Sequence, residues 1–302
     1  MNNARTDITP ETLSVIAEAL GNIADPRAVP PLLELLKSEN TAVIISTIQS
    51  LLQHRDPRAV EPLIALLSAQ TAKKEPAREQ IRALSAATLG EIGDLQAVSI
   101  LIDLLNENTD VGYEAALALG KIGDKRAVMP LLAVLQNPQS YNRGPAALSL
   151  GRLKDMRAYE PLLAIAKNND SHEQFLIASV ILALGNFDNP EIVPLLRKAS
   201  TSQDANVRNA VINVFSDHFT AQGVDILVTE LKDGSHRNYL DAIRALGNSH
   251  EKKAIDPLVA LLPDTRPEVQ KEVILSLTAL IGKNLGGDPA TWISWWRTYK
   301  NN

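Results

Sequence analysis

Asp25-Pro26-Arg27-Ala28-Val29-Pro30-Pro31-Leu32-Leu33 returns along this chain as Asp56-Pro57-Arg58-Ala59-Val60-Glu61-Pro62-Leu63-Ile64. It returns again as Asp124-Lys125-Arg126-Ala127-Val128-Met129-Pro130-Leu131-Leu132 and as Asp155-Met156-Arg157-Ala158-Tyr159-Glu160-Pro161-Leu162-Leu163. Weaker copies begin at Asp94, Asp188 and Glu251, and a degenerate one is centred on Gly223-Val224. Taking Ala28 as marker, the phrase recurs at 59, 97, 127, 158, 191, 223 and 254, in steps of 31, 38, 30, 31, 33, 32 and 31 residues. A period near thirty is the signature of a solenoid, in which each unit buries its apolar face only against its neighbours. Such a repeat fixes architecture far more tightly than chemistry.

Within a unit two helical patterns are separated by a polar turn. Val29, Leu32, Leu33 and Leu36 give the first an apolar face; Val111, Ala115, Ala118, Leu119 and Ile122 give the second its own. Small residues crowd the second pattern, as in Glu114-Ala115-Ala116-Leu117-Ala118-Leu119-Gly120, so helix axes can approach closely. Gly90, Gly120, Gly151, Gly185 and Gly247 are read as ending the second helices, since glycine adopts the left-handed conformation after a helix without steric cost. Asp25, Asp56, Asp94, Asp124, Asp155 and Asp188 are read as caps of the helix that follows. A proline at 31, 62, 130, 161, 194 and 257 lies too deep for the first helical position, so either the helix starts late or it is kinked there.

Paired helices, the proline in the first, and an ending such as Ala116-Leu117-Ala118-Leu119-Gly120-Lys121-Ile122-Gly123-Asp124 resemble HEAT repeats of the subtype first described in phycobilisome lyases. The resemblance covers roughly residues 10 to 282. It implies an all-α, right-handed α-solenoid of about eight HEAT-like helical pairs whose second helices line the concave face; the tryptophan-rich tail is similar to those that close other bacterial HEAT-repeat chains, which points to a bacterial source. The expected organisation is a tail over 1–9, repeats over 10–282 with an insertion at 68–78, and a Trp-rich cap over 283–302.

Composition narrows the function classes. The formal net charge is -5 and Lys and Arg are scattered, which argues against a nucleic-acid partner, because such binders carry a basic stripe. There is no cysteine, hence no disulfide and no thiolate metal site. The start, Met1 to Asp7, lacks the apolar core of a secretory signal. The longest uncharged apolar run, Phe175 to Phe187, is far short of the roughly 20 residues of a membrane span and reads as a buried helix. The expectation is a cytoplasmic protein without membrane contact.

Breaks in the pattern carry the remaining information. The 38-residue step places an insertion at Ser68 to Arg78, between the helices of one unit. Ser140-Tyr141-Asn142-Arg143-Gly144-Pro145 should delay a second helix to Pro145, leaving Tyr141 and Arg143 on a looser segment. Phe215 to Thr220 replaces the usual repeat ending. In the tail, Trp292, Trp295 and Trp296 share one face of a helix capped by Asp288, expected to pack near Val273, Leu277 and Leu280 as a lid on the last repeat, with a docking site as the alternative reading.

Chemistry is mostly missing from the sequence. Deoxyhypusine hydroxylase, an enzyme built on this repeat, carries paired His-Glu steps on its second helices. In that register this chain has Ala83-Leu84, Tyr113-Glu114, Gly144-Pro145, Ala178-Ser179, Asn209-Ala210 and Leu240-Asp241. His172-Glu173 and His250-Glu251 are out of register, so no metal or other cofactor is expected. The reading is a non-enzymatic scaffold that holds a protein or extended peptide on the concave face, through Asp110, Tyr113, Glu114, Tyr141, Arg143, Asn206, Asn209, Asn213, Arg237, Asp241, Arg244, Lys271 and Glu272. The alternative is a phycobilin lyase-like or chromophore-chaperone subunit, with Tyr113, Glu114, Tyr141 and Arg143 around a bilin.

Overall fold

A computed structural model of the chain describes residues 8–69, 76–168, 173–218, 220–233 and 236–300. All regular structure among them is helical, and the fold is an α-solenoid. The α-helices are α1 (Pro10–Gly21), α2 (Val29–Leu35), α3 (Thr41–His54), α4 (Val60–Ala69), α5 (Pro76–Ile92), α6 (Val98–Leu104), α7 (Asp110–Ile122), α8 (Val128–Gln136) and α9 (Arg143–Leu153). They continue as α10 (Tyr159–Asn168), α11 (Gln174–Gly185), α12 (Val193–Ala199), α13 (Ala205–Asp217), α14 (Thr220–Asp233), α15 (His236–Asn248), α16 (Ile255–Ala260), α17 (Pro267–Ile281) and α18 (Pro289–Lys300). After α1, the chain alternates first and second helices from α2/α3 to α16/α17, and α18 follows. It divides into two compact units, Met1–Pro161 and Leu162–Asn302.

The repeated phrase builds a separate turn before the first helices that carry it. Pro26–Ala28, Pro57–Ala59, Leu95–Ala97, Lys125–Ala127 and Met156–Ala158 are single 3-10 turns, and the α-helix starts only after them. The second proline therefore falls in the first helical turn, where a backbone N–H has no intrahelical partner to lose. A late start, not a kink, accommodates it. Asp25, Asp56, Asp94, Asp124 and Asp155 each accept the N–H two residues on, so they cap this 3-10 turn. In four of these turns the arginine at that position also pairs with the capping carboxylate. The Arg157 guanidinium thus holds the Asp155 carboxyl down to about 2. Arg58 and Arg126 reach one repeat back, to the carbonyls of Pro26 and Leu95.

Asp188 departs from its expected capping role. One extra residue puts it at φ 51, in the left-handed region, and the capping side chain is that of Asn189, which accepts from Glu191 N–H. The degenerate unit differs further: no 3-10 turn precedes α14 among the described residues, and α14 itself runs 14 residues. Most of the 68–78 insertion, residues 70–75, lies outside the described residues.

Gly185 is the last residue of α11, as expected, but three of the repeat glycines have a different task. Gly90 and Gly120 lie inside α5 and α7, and Gly247 inside α15. A Cβ on Gly90 would stand 2.6 Å from Ala118 Cα; one on Gly247 would stand 2.6 Å from Ser276 Cα. They are points of closest approach between consecutive second helices. Ser149 seals one such seam, facing Gly120 and donating to the Ala116 carbonyl at 2.7 Å; Ser50 does the same with Gly21 and the Ala17 carbonyl. The left-handed position lies three residues further on, at Gly93 and Gly123, and is taken by Lys154 in the next repeat.

Candidate functional site

Because first helices cover one side of the second helices and neighbouring second helices cover two more, what several second helices leave accessible is a narrow stripe of exposed and half-buried residues. In α7 it runs through Asp110, Tyr113, Glu114, Leu117 and Lys121, while Val111, Ala115, Ala118 and Leu119 are buried. In α13 the stripe is Asn206, Asn209 and Asn213, and in α17 it includes Lys271 and Glu272.

In the N-terminal unit, two asparagines that belong to no recognisable motif set the geometry. Asn142 is fully buried and donates to the carbonyls of Leu105 and Glu107, at 3.0 and 2.7 Å, in the preceding repeat. Asn108 accepts the Tyr141 N–H at 3.2 Å. Gly112 makes room: a Cβ there would collide with the Glu107 carbonyl oxygen and the Asn142 amide. The turn carrying Tyr141 is thereby fixed onto the turn before α7, and the Tyr113 and Tyr141 rings lie 6.4 Å apart, tilted by 42°. Tyr141 remains 64% exposed.

Charge at this corner is acidic. Burial pushes the Glu114 carboxyl up and Asp110 adds to the rise, while Lys121 opposes it. Burial likewise raises the Tyr113 hydroxyl, with Glu114 and Tyr141 contributing. Arg143 does not lie on a loose segment as expected. α9 starts at Arg143 itself, two residues before Pro145, and the guanidinium turns back to donate to the Leu135 carbonyl at 3.0 Å. Two aromatic faces beside carboxylates form a surface suited to a cation.

The second-helix face of the C-terminal unit is polar and largely self-compensated. Arg244 pairs with Asp241 at 2.9 Å and with Glu272 at 3.0 Å, tying α15 to α17. Lys271 is exposed beside them. Asn206 and Asn213 are exposed, whereas Asn209 is half-buried and its Oδ1 is buried with no hydrogen-bond donor. Arg237 lies in α15, but its side chain falls outside the described residues. Of the expected site residues, Tyr113 and Tyr141 lie together in one unit, and Asp241, Arg244 and Glu272 in the other.

Residues 2–74, 69–151 and 106–178 match the family described as HEAT repeats. No curated protein sequence matches the chain. Among solved structures, YibA of Escherichia coli is similar with a TM-score of 0.55 and 18% identity, over 89% of this chain and 96% of that one. The complex of CpcE and CpcF of phycocyanin lyase from Nostoc sp. PCC7120 gives 0.52 and 18%, over 84% and 93%. Kap121p gives 0.52 and 13%, over 96% of this chain and 37% of its own. At these identities the likeness is one of fold.

Proposed function

The chain belongs to the HEAT-repeat family, and on that premise we propose that it is a non-enzymatic scaffold of the bacterial cytoplasm that holds a partner protein through an extended segment. One observation carries the reading: the second-helix side presents polar and aromatic residues that are exposed or half-buried, with the Tyr113 and Tyr141 rings 6.4 Å apart on a stretch that also carries Asp110 and Glu114. A pre-ordered surface lowers the ordering cost of binding, which favours an extended partner segment. The acidic, aromatic corner suits a Lys or Arg of that segment, and the asparagines of α13 suit its backbone.

A chromophore-holding subunit is the second reading. The tyrosine pair and Glu114 speak for it; Arg143, turned to the Leu135 carbonyl, speaks against a convergent basic group for a bilin's carboxylates.

The double substitution Tyr113→Ala/Tyr141→Ala tests the scaffold. Tyr141 is exposed and Tyr113 half-buried, so helical content should be kept and melting should fall only modestly. Co-purification of the partner from source cells should fall at least about tenfold, the scale of one aromatic hot spot. Undiminished recovery, with the variant folded, would refute the assignment of this face.

A further inference from the structure

In the C-terminal unit a cavity of about 250 Å³ opens where α18 meets the ends of the last repeat. Ile255, Leu280 and Ile281 line it with apolar surface, and Trp295 and Tyr299 stack with ring centroids 5.1 Å apart along another side. These two rings are not the ones whose polar atoms tie the helix down. The Trp292 indole N–H donates to the Gly286 carbonyl at 2.8 Å, and the Trp296 indole and Lys300 both reach Asp256. Trp295 is only half-buried and Tyr299 is 46% exposed.

The remaining lining residues are His250, Lys252 and Lys283, all exposed. No acidic residue is among the described residues that line the cavity, in a chain whose formal net charge is -5. We propose that this cavity is a docking site for an acidic peptide segment of a partner protein. An apolar or aromatic side chain seats between the Trp295–Tyr299 pair and the Ile255–Leu280–Ile281 surface, and flanking carboxylates face Lys252 and Lys283. Size selects the occupant: the cavity is smaller than the roughly 300–1,000 Å³ that holds a drug-sized ligand, and matches one anchoring side chain. Tryptophan and tyrosine around a partly desolvated pocket are the residue types that dominate binding at hot spots. The site is independent of the second-helix face, and its partner has the opposite charge preference from the Tyr113–Tyr141 corner.

Fluorescence anisotropy of the full chain with a short labelled peptide, one phenylalanine flanked by glutamates, tests the proposal. Saturable binding is expected. It should weaken about tenfold or more when Lys252→Glu and Lys283→Glu are combined, the scale of a few lost charge contacts. Replacing the peptide's phenylalanine by alanine should weaken it similarly, and a version with lysines for glutamates should not saturate. The Tyr113→Ala/Tyr141→Ala variant should bind the peptide as the parent chain does. Absence of saturable binding, indifference to the charge reversal, equal binding of the lysine version, or loss of binding in the tyrosine variant would each overturn the site.

Discussion

Trp292→Ala is expected to cost about 3–5 kcal/mol, the range for truncating a large aromatic side chain in a core. Trp292 is 0% exposed, and its indole N–H is satisfied by the Gly286 carbonyl, so truncation removes the packing and leaves that carbonyl without its donor. In a repeat array the loss falls on the neighbouring units, because each is supported only locally. Hydrogen exchange should therefore quicken over α16 and α17, while the unit Met1–Pro161 keeps its protection. Trp295→Ala should cost much less, since that ring is partly exposed and borders a cavity. Equal effects of the two substitutions would contradict this division of labour.

Gly90→Ala is expected to destabilise, against the intrinsic preference of a helix. Alanine is favoured over glycine in a helix interior by roughly 0.8–1 kcal/mol. At Gly90 the added Cβ would stand 2.6 Å from a backbone atom of α7, so the helices themselves must move apart. Overpacking of this kind costs typically about 1–3 kcal/mol, which outweighs the propensity gain. Gly90→Val should lose more, as its branched side chain meets the same wall. Urea unfolding of the three proteins would show the order, and a stabilised Gly90→Ala would mean that the seam between second helices is looser than described.

The sequence made the architecture legible because the same local physics is written out many times. An aspartate, an arginine two residues on and a proline four further can be satisfied by a capped 3-10 turn leading into a helix, and that is what forms. Single residues whose type serves two physical purposes were harder to read. Glycine suits both a left-handed φ and a close approach, and the repeat uses Gly93 for the first and Gly90 for the second. Asn142 was invisible as a determinant of the site because its partners lie 35 and 37 residues earlier. Arg143 looked available for a ligand until the Leu135 carbonyl was placed beside it. The three tail tryptophans share one helical face by spacing, yet burial separates Trp292 from its neighbours. The tail helix packs on α16, where Asp256 receives Lys300 and Trp296, and these donors hold its carboxyl below the usual range; of the expected seat on α17, Leu280 lines a cavity with Trp295 and Tyr299.

Position-specific photo-crosslinking in source cells tests the scaffold most directly. A photoreactive phenylalanine analogue would replace Tyr141 on the second-helix face, or Met129 on first helix α8; both positions are exposed, at 64% and 58%. A discrete crosslinked partner from position 141, and none from position 129, is the result predicted. The same partner captured from position 129 but not from 141 would contradict the claim that the second-helix face is the one that binds.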